Sequence, residues 1–243
     1  KPLHQFLTWY AQSQREDGFI PCVVDRDGVD WLVEHDSHGQ FIWGVREVLR
    51  DRHDQKFLEE MMPHVALAAD YLVSLRNQLQ DCNLTPEECF AFDGLLPVSA
   101  SHEGYLAHPV HSYWDDFWGV RGLEAASELA ASLGRHEEAK RWNEEALAFH
   151  ESLLVSLRKV IEKHQLASIP GPVEWADFDP TPTANAIGLL DFADVLPAGP
   201  LRSMLDTYLE GFWKKHRGQI PWNNYTAYEI RIIGAFVRLG DRD

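Results

Sequence analysis

Apolar residues recur at intervals of three and four along most of the chain, and strict apolar–polar alternation is almost absent. That period belongs to helices buried on one face, so the pattern predicts an all-α protein. The predicted helices span 2–14, 37–51, 54–78, 112–134, 136–163, 181–194, 199–216 and 226–239. A short extra helix is expected at Thr85-Pro86-Glu87-Glu88, which supplies an N-cap, a first-turn proline and a capping acid. In 54–78, Phe57, Met61, Val65, Ala68 and Leu72 share one side, leaving Glu59, Glu60 and His64 for solvent. Helix 136–163 repeats the split, with Ala139, Trp142, Ala146, Phe149 and Leu153 on its apolar side.

Four of these helices resemble one another. Each opens at Ser or Thr and carries a glycine about two turns later: Ser37 and Gly44, Ser112 and Gly119, Thr181 and Gly188, Thr226 and Gly234. Two copies share Trp-Gly-Val-Arg, at Trp43–Arg46 and Trp118–Arg121. A mid-helix glycine costs about 1 kcal/mol relative to alanine. Its recurrence at one depth therefore predicts close helix approaches there. The links leaving these helices are short, whereas those entering them (15–36, 79–111, 164–180 and 217–225) are long. Such an order is that of helical hairpins in an α/α toroid, with every inner helix presenting its N-terminus and its spare N–H groups to one face. About four hairpins are present, so the toroid is expected to be incomplete, within a single domain spanning 1–243. Further chain segments or a homo-oligomer partner would complete it and cover its apolar edges.

Composition narrows the partners. No apolar run is long enough for a membrane span. The net charge of −16 repels nucleic-acid backbones and anionic lipid surfaces, leaving a neutral substrate as the better fit. Nine Trp, seven Tyr and twelve Phe exceed what a core explains, because several Trp fall in polar loops. Cys22, Cys82 and Cys89 are an odd set without metal-type spacing; a Cys82–Cys89 bridge is conceivable on export, and free thiols fit a reducing compartment. The chain starts at Lys1 with neither a signal-peptide pattern nor an initiator Met, so the start is expected to be processed or trimmed. The cytoplasm is favoured over export on the thiols alone. No cofactor is implied.

Candidate chemistry gathers on the four entering loops. The first holds Trp31, Glu34, His35, Asp36, Ser37, His38 and Gln40; a Ser37/Gln40 capping box accounts for two of these but not for the histidines or Trp31. The second is richest, with Ser99, Ser101, His102, Glu103, Tyr105, His108, His111, Ser112, Trp114, Asp115 and Asp116. Here Ser112 and Asp115 have capping-box spacing, whereas Glu103 has no helix to cap, which makes it a candidate general acid. The third places Glu174, Trp175, Asp177, Phe178 and Asp179 in an aromatic–acid alternation suited to stacking on a sugar face. The fourth surrounds Glu229 with Trp222, Asn223, Asn224, Tyr225 and Tyr228, although Thr226 and Glu229 also satisfy a capping box.

Glycoside hydrolysis needs a carboxylic acid and an opposing carboxylate, separated by roughly 6.5–9.5 Å when the mechanism inverts. The chain offers Glu103 or Asp115 as the acid and Glu229 as the base. Asp36 and Asp177 would hold hydroxyls, with Trp31, Glu34, His38, His102, His111, Trp114, Asp116, Trp175, Trp222 and Tyr225 completing the substrate contacts.

The segments Glu34–Gln40, Ser101–Tyr105, Ser112–Phe117 and Tyr225–Glu229 resemble those of six-hairpin, (α/α)6-barrel glycosidases. Ser112-Tyr-Trp-Asp is similar to the Ser-Gly-Trp-Asp segment of trehalase-like clans, where the Asp after the Trp is the acid. The resemblance implies that Asp115 is the acid, that the fold is a toroid, and that the substrate is an oligosaccharide or glycoside. The chain departs from the family in being about two hairpins short and in the compressed spacing from Asp115 to Glu229.

Three other readings compete. A sugar epimerase or polysaccharide lyase on the same scaffold would use His35, His38, His102, His108 or His111 for proton abstraction. A metal site would draw on His35, Asp36, His38, His102 or His111, none at zincin spacing. A non-catalytic carbohydrate-binding fragment would keep the site without the chemistry.

Overall fold

A computed structural model describes residues 2–80, 91–101, 104–223 and 227–241. The expected helix at Thr85 and the pair Cys82 and Cys89 lie outside the described residues, as do His102, Glu103, Tyr225 and Thr226. The protein is mostly helical. Its α-helices are α1 (Pro2–Tyr10), α2 (Asp36–Arg52), α3 (Gln55–Gln80), α4 (Tyr113–Ser132), α5 (His136–His164), α6 (Pro180–Gly188), α7 (Ala198–His216) and α8 (Ile230–Arg238).

The helices expected to be inner pack in sequence order, α2 on α4, α4 on α6 and α6 on α8. Among the others, α3 covers α2 and α4, α5 covers α4, and α7 touches α6. The apolar sides assigned to α3 and α5 are buried as expected, from Phe57 through Leu72 and from Ala139 through Leu153. Trp142 is fully buried in this layer, and its Nε1–H donates to Asp70 at 2.8 Å.

Several local expectations are corrected. Strand pairing does occur, in a hairpin of β1 (Val23–Asp25) and β2 (Gly28–Asp30) inside the first entering loop. Three residues per strand are too few for alternation to register. The tight turn depends on Gly28, whose φ of 121° suits only glycine. Helix 181–194 stops at Gly188, and the chain reverses through Asp191 at a φ of 55°. The apolar residues beyond, Leu190 and Phe192, are buried as tertiary packing, with Phe192 edge-on to Phe117 at 5.0 Å. The first and last helices each include a 3-10 turn, Ala11–Ser13 after α1 and Ala227–Glu229 before α8.

The repeated glycines meet their expectation only in part. A Cβ on Gly119 would lie 2.6 Å from the Phe149 ring of α5, so that approach needs glycine. Gly44 faces only Leu7 side-chain atoms, and a Cβ on Gly234 would meet nothing within 4 Å. The closest crossing falls elsewhere, on Gly39 of α2 and Gly122 of α4. A Cβ on Gly39 would sit 2.0 Å from the Trp118 carbonyl oxygen, and one on Gly122 would sit 2.6 Å from Gly39 Cα.

Candidate functional site

That crossing brings the first turns of α2 and α4 together, and the acids they carry become neighbours. Ser112 caps α4 as expected, its Oγ accepting the Trp114 N–H at 3.3 Å. The other expected caps are redistributed. Ser37 lies inside the first turn of α2 and donates to the Ile20 carbonyl at 2.7 Å, while Gln40 turns to Asp36. Asp179, in place of Thr181, caps α6 by accepting the Thr181 N–H.

Asp115 is 1% exposed and does no capping. Ser99 Oγ donates to its Oδ2 at 2.5 Å, and Ser101 Oγ lies 2.9 Å from Oδ1 and 2.8 Å from Ser112 Oγ. Burial first, and then the nearby Asp36 charge, hold the Asp115 pKa well above the usual carboxylate range. Both serine hydroxyls donate to the carboxyl, a pull toward its charged form that burial outweighs. Ser101 itself holds a φ of 36°, a strained setting for a non-glycine residue and a mark of a constrained site.

Asp36, 2% exposed, also accepts, from N–H donors in place of hydroxyls. Both Gln40 Nε2 and Trp114 Nε1 donate to its Oδ2, each at 2.6 Å, so that oxygen must be an acceptor. Its Oδ1 lies 4.0 Å from Cys22 Sγ. Among the described residues, the set whose donor atoms come within 4.8 Å of one another is Cys22, Glu34 and Asp36, with no histidine included. The histidine-rich metal set suggested by sequence is therefore not assembled among the described residues.

Asp116 sits beneath this pair, with Oδ1 accepting the Leu96 N–H at 3.0 Å and Oδ2 without a partner. Burial pushes its pKa up to about 8, against the opposing pull of that N–H and of Arg76. His35 and His38 are buried and neutral, their pKa values lowered by burial to about 4 and about 3. His38 stacks on Tyr71 at 4.9 Å and bonds the His35 carbonyl, which explains it as packing. His111 stacks on Phe92 at 4.6 Å, with Nδ1 on one Glu174 oxygen and its backbone N–H on the other. Together with the Ser112–Pro172 bridge, this clasp ties the second entering loop to the third.

The other expected residues among those described make contacts of their own. Trp31 is exposed beside Phe19, and Trp175 packs edge-on to Tyr105. Asp177 is exposed, shares a hydrogen bond with Tyr105, and has its pKa raised chiefly by desolvation. Trp222 packs on Phe212 at 5.6 Å. Glu229 accepts the Tyr208 hydroxyl from α7. Two residues on, the Arg231 guanidinium lies 5.0 Å over the Trp114 ring and brings α8 to the centre. Sequence reasoning did not single out Cys22, Gln40 or Arg231 for this centre, nor Ser99 and Ser101 as partners of Asp115. The i, i+2 serines of Ser99-Ala100-Ser101 were the available signal for that pairing.

Comparison with protein-family models, curated proteins and solved structures finds no match.

Proposed function

We propose that this chain is a glycoside hydrolase built on hairpins of an α/α toroid, with Asp115 as proton donor and Asp36 as the opposing carboxylate. The observation that carries this reading is the pairing of two buried carboxyl groups in different surroundings, serine hydroxyls about Asp115 and N–H donors about Asp36. Asp115 sits among hydroxyls with its pKa raised by burial, and Asp36 receives two N–H donors on one oxygen. Carboxyls whose environments push them apart are the means by which one site supplies both acid and base. In this reading Asp36 takes the role expected of Glu229, whose carboxylate is engaged by Tyr208. A neutral substrate also suits a chain of net charge −16, and no described helix is long and apolar enough to cross a membrane.

Sugar release from a panel of aryl glycosides and oligosaccharides tests this. Asp115→Asn and Asp36→Asn are expected to lower turnover by roughly 10²–10⁴-fold, with Glu229→Gln close to wild type. Loss in Glu229→Gln with activity kept in Asp36→Asn would return the base to Glu229. Loss in Glu103→Gln with Asp115→Asn active would move the acid to Glu103. A second reading, a carbohydrate-binding arc without turnover, is favoured by the near-complete burial of both aspartates. Sugar binding with no release from any substrate would establish it.

A further inference from the structure

A cavity of about 250 Å³ opens between α1 and α2, beside the two-aspartate centre, with which it shares Cys22 and Gln40. Its aromatic lining comes from Phe6 and Tyr10 on α1, Phe41 and Trp43 on α2, and Trp118 on α4. Phe6 and Tyr10 stack at 5.2 Å, and Trp43 meets Trp118 edge-on at 5.7 Å. No Lys, Arg or His is among the lining residues. Cys22 also lines the cavity, and its donor atom lies within 4.8 Å of both the Glu34 and the Asp36 carboxylates.

Aromatic walls beside buried acids define an occupant by charge. The face of an indole, phenol or phenyl ring carries negative potential, and the two carboxylates add full charges behind it. An anion would be repelled, and the polar side chains Ser37 and Gln40 of the wall are already engaged with Ile20 and Asp36. We propose that this cavity binds a small organic cation, an alkylated or quaternary ammonium group, held by the rings of Phe6, Tyr10, Phe41, Trp43 and Trp118 and by the charge of Asp36 and Glu34. Arg46, whose guanidinium lies 5.9 Å from the Trp43 ring, is already paired with Glu47 and Glu128. Burial first raises the pKa of both Tyr10 and Cys22; Asp36 and Glu34 add to it, after Cys22 itself in the case of Tyr10. The volume is just below the usual lower bound for drug-sized ligands, which suits a head group of choline size.

The proposal does not depend on hydrolysis. The test is calorimetric titration of the full chain with choline and with 3,3-dimethylbutan-1-ol, its neutral isostere, under conditions in which no glycoside is present. Choline is expected to bind at least tenfold more tightly than the alcohol, and its affinity to fall as salt rises. Phe6→Leu, on a half-exposed ring, and Trp43→Leu are each expected to weaken choline several-fold, with the far-UV spectrum unchanged. Asp36→Asn should narrow the gap between choline and the alcohol. Equal affinity for the two probes would overturn the proposal in favour of a purely apolar pocket. Absence of choline binding in the folded wild-type chain would also overturn it. Neither result bears on sugar release, so the two readings fail separately.

Discussion

Asp116 and His38 show how burial makes single side chains into pH-dependent elements of stability. Asp116 keeps its proton in the fold up to about pH 8, against an ordinary value of 3.8. Its preference for the fold is complete below the ordinary value and disappears as pH rises through about 8. Asp116→Asn is therefore expected to lose less stability than wild type between pH 5 and pH 9, in urea titrations at each pH. His38 works in the opposite direction, with a folded pKa of about 3 against 6.5. Its contribution is present above 6.5 and is lost as pH falls through about 3. Replacing it with Phe, which can keep the stack on Tyr71, should leave a shallower fall in stability between pH 6 and pH 4. Steeper acid sensitivity in His38→Phe would show that the imidazole is charged in the fold.

At the scale of elements, the site depends on how closely α2 and α4 approach. Gly39 and Gly122 let the two backbones touch, which sets Trp114 Nε1 within reach of Asp36. Gly39→Ala and Gly122→Ala are each expected to cost about 1–3 kcal/mol through overpacking. Gly211 in α7 has open space around its Cβ position. There Gly→Ala should stabilise by about 0.5–1 kcal/mol, since only helix propensity changes. Urea melts of the three variants separate crossing from propensity, and equal effects at Gly39 and Gly211 would rule out a tight crossing. The repeat in the sequence pointed to glycine as a packing device, yet it drew attention to Gly44 and Gly234, which face no backbone. Sequence spacing locates a glycine on its own helix, whereas the partner it meets depends on the crossing angle.

For the whole molecule, one end is marked by α8, which buries Ile232 and Ala235 against the body while Ile230, Ile233 and Val237 remain exposed. A helix apolar on several sides is ordinarily one that is covered. As described, without a covering partner, Ile230→Lys and Val237→Lys are expected to change thermal stability by no more than about 0.5 kcal/mol. A larger loss, or a change in sedimentation relative to wild type, would show that another surface covers this face in solution.

Periodicity alone made the helical class legible, because each amphipathic helix must record its buried face locally in three-and-four spacing. The same local rule identified the buried sides of α3 and α5, the Ser112 cap, and the concentration of acids and aromatics on the entering loops. What the chain could not disclose was which acids would meet. Asp36 and Asp115 are 79 positions apart, and their separate hydrogen-bonded environments arise from a helix crossing and from serines on a different loop. Nor could it show that Ser37 and Gln40 would leave their capping geometry, since Ile20 and Asp36 offered them better partners. Propensity and spacing act within about a dozen residues, so the sequence determined the elements. The raised pKa of Asp115, the company of Asp36 and the cavity beside them follow from long-range packing, burial and charge, which exist only once the helices are assembled.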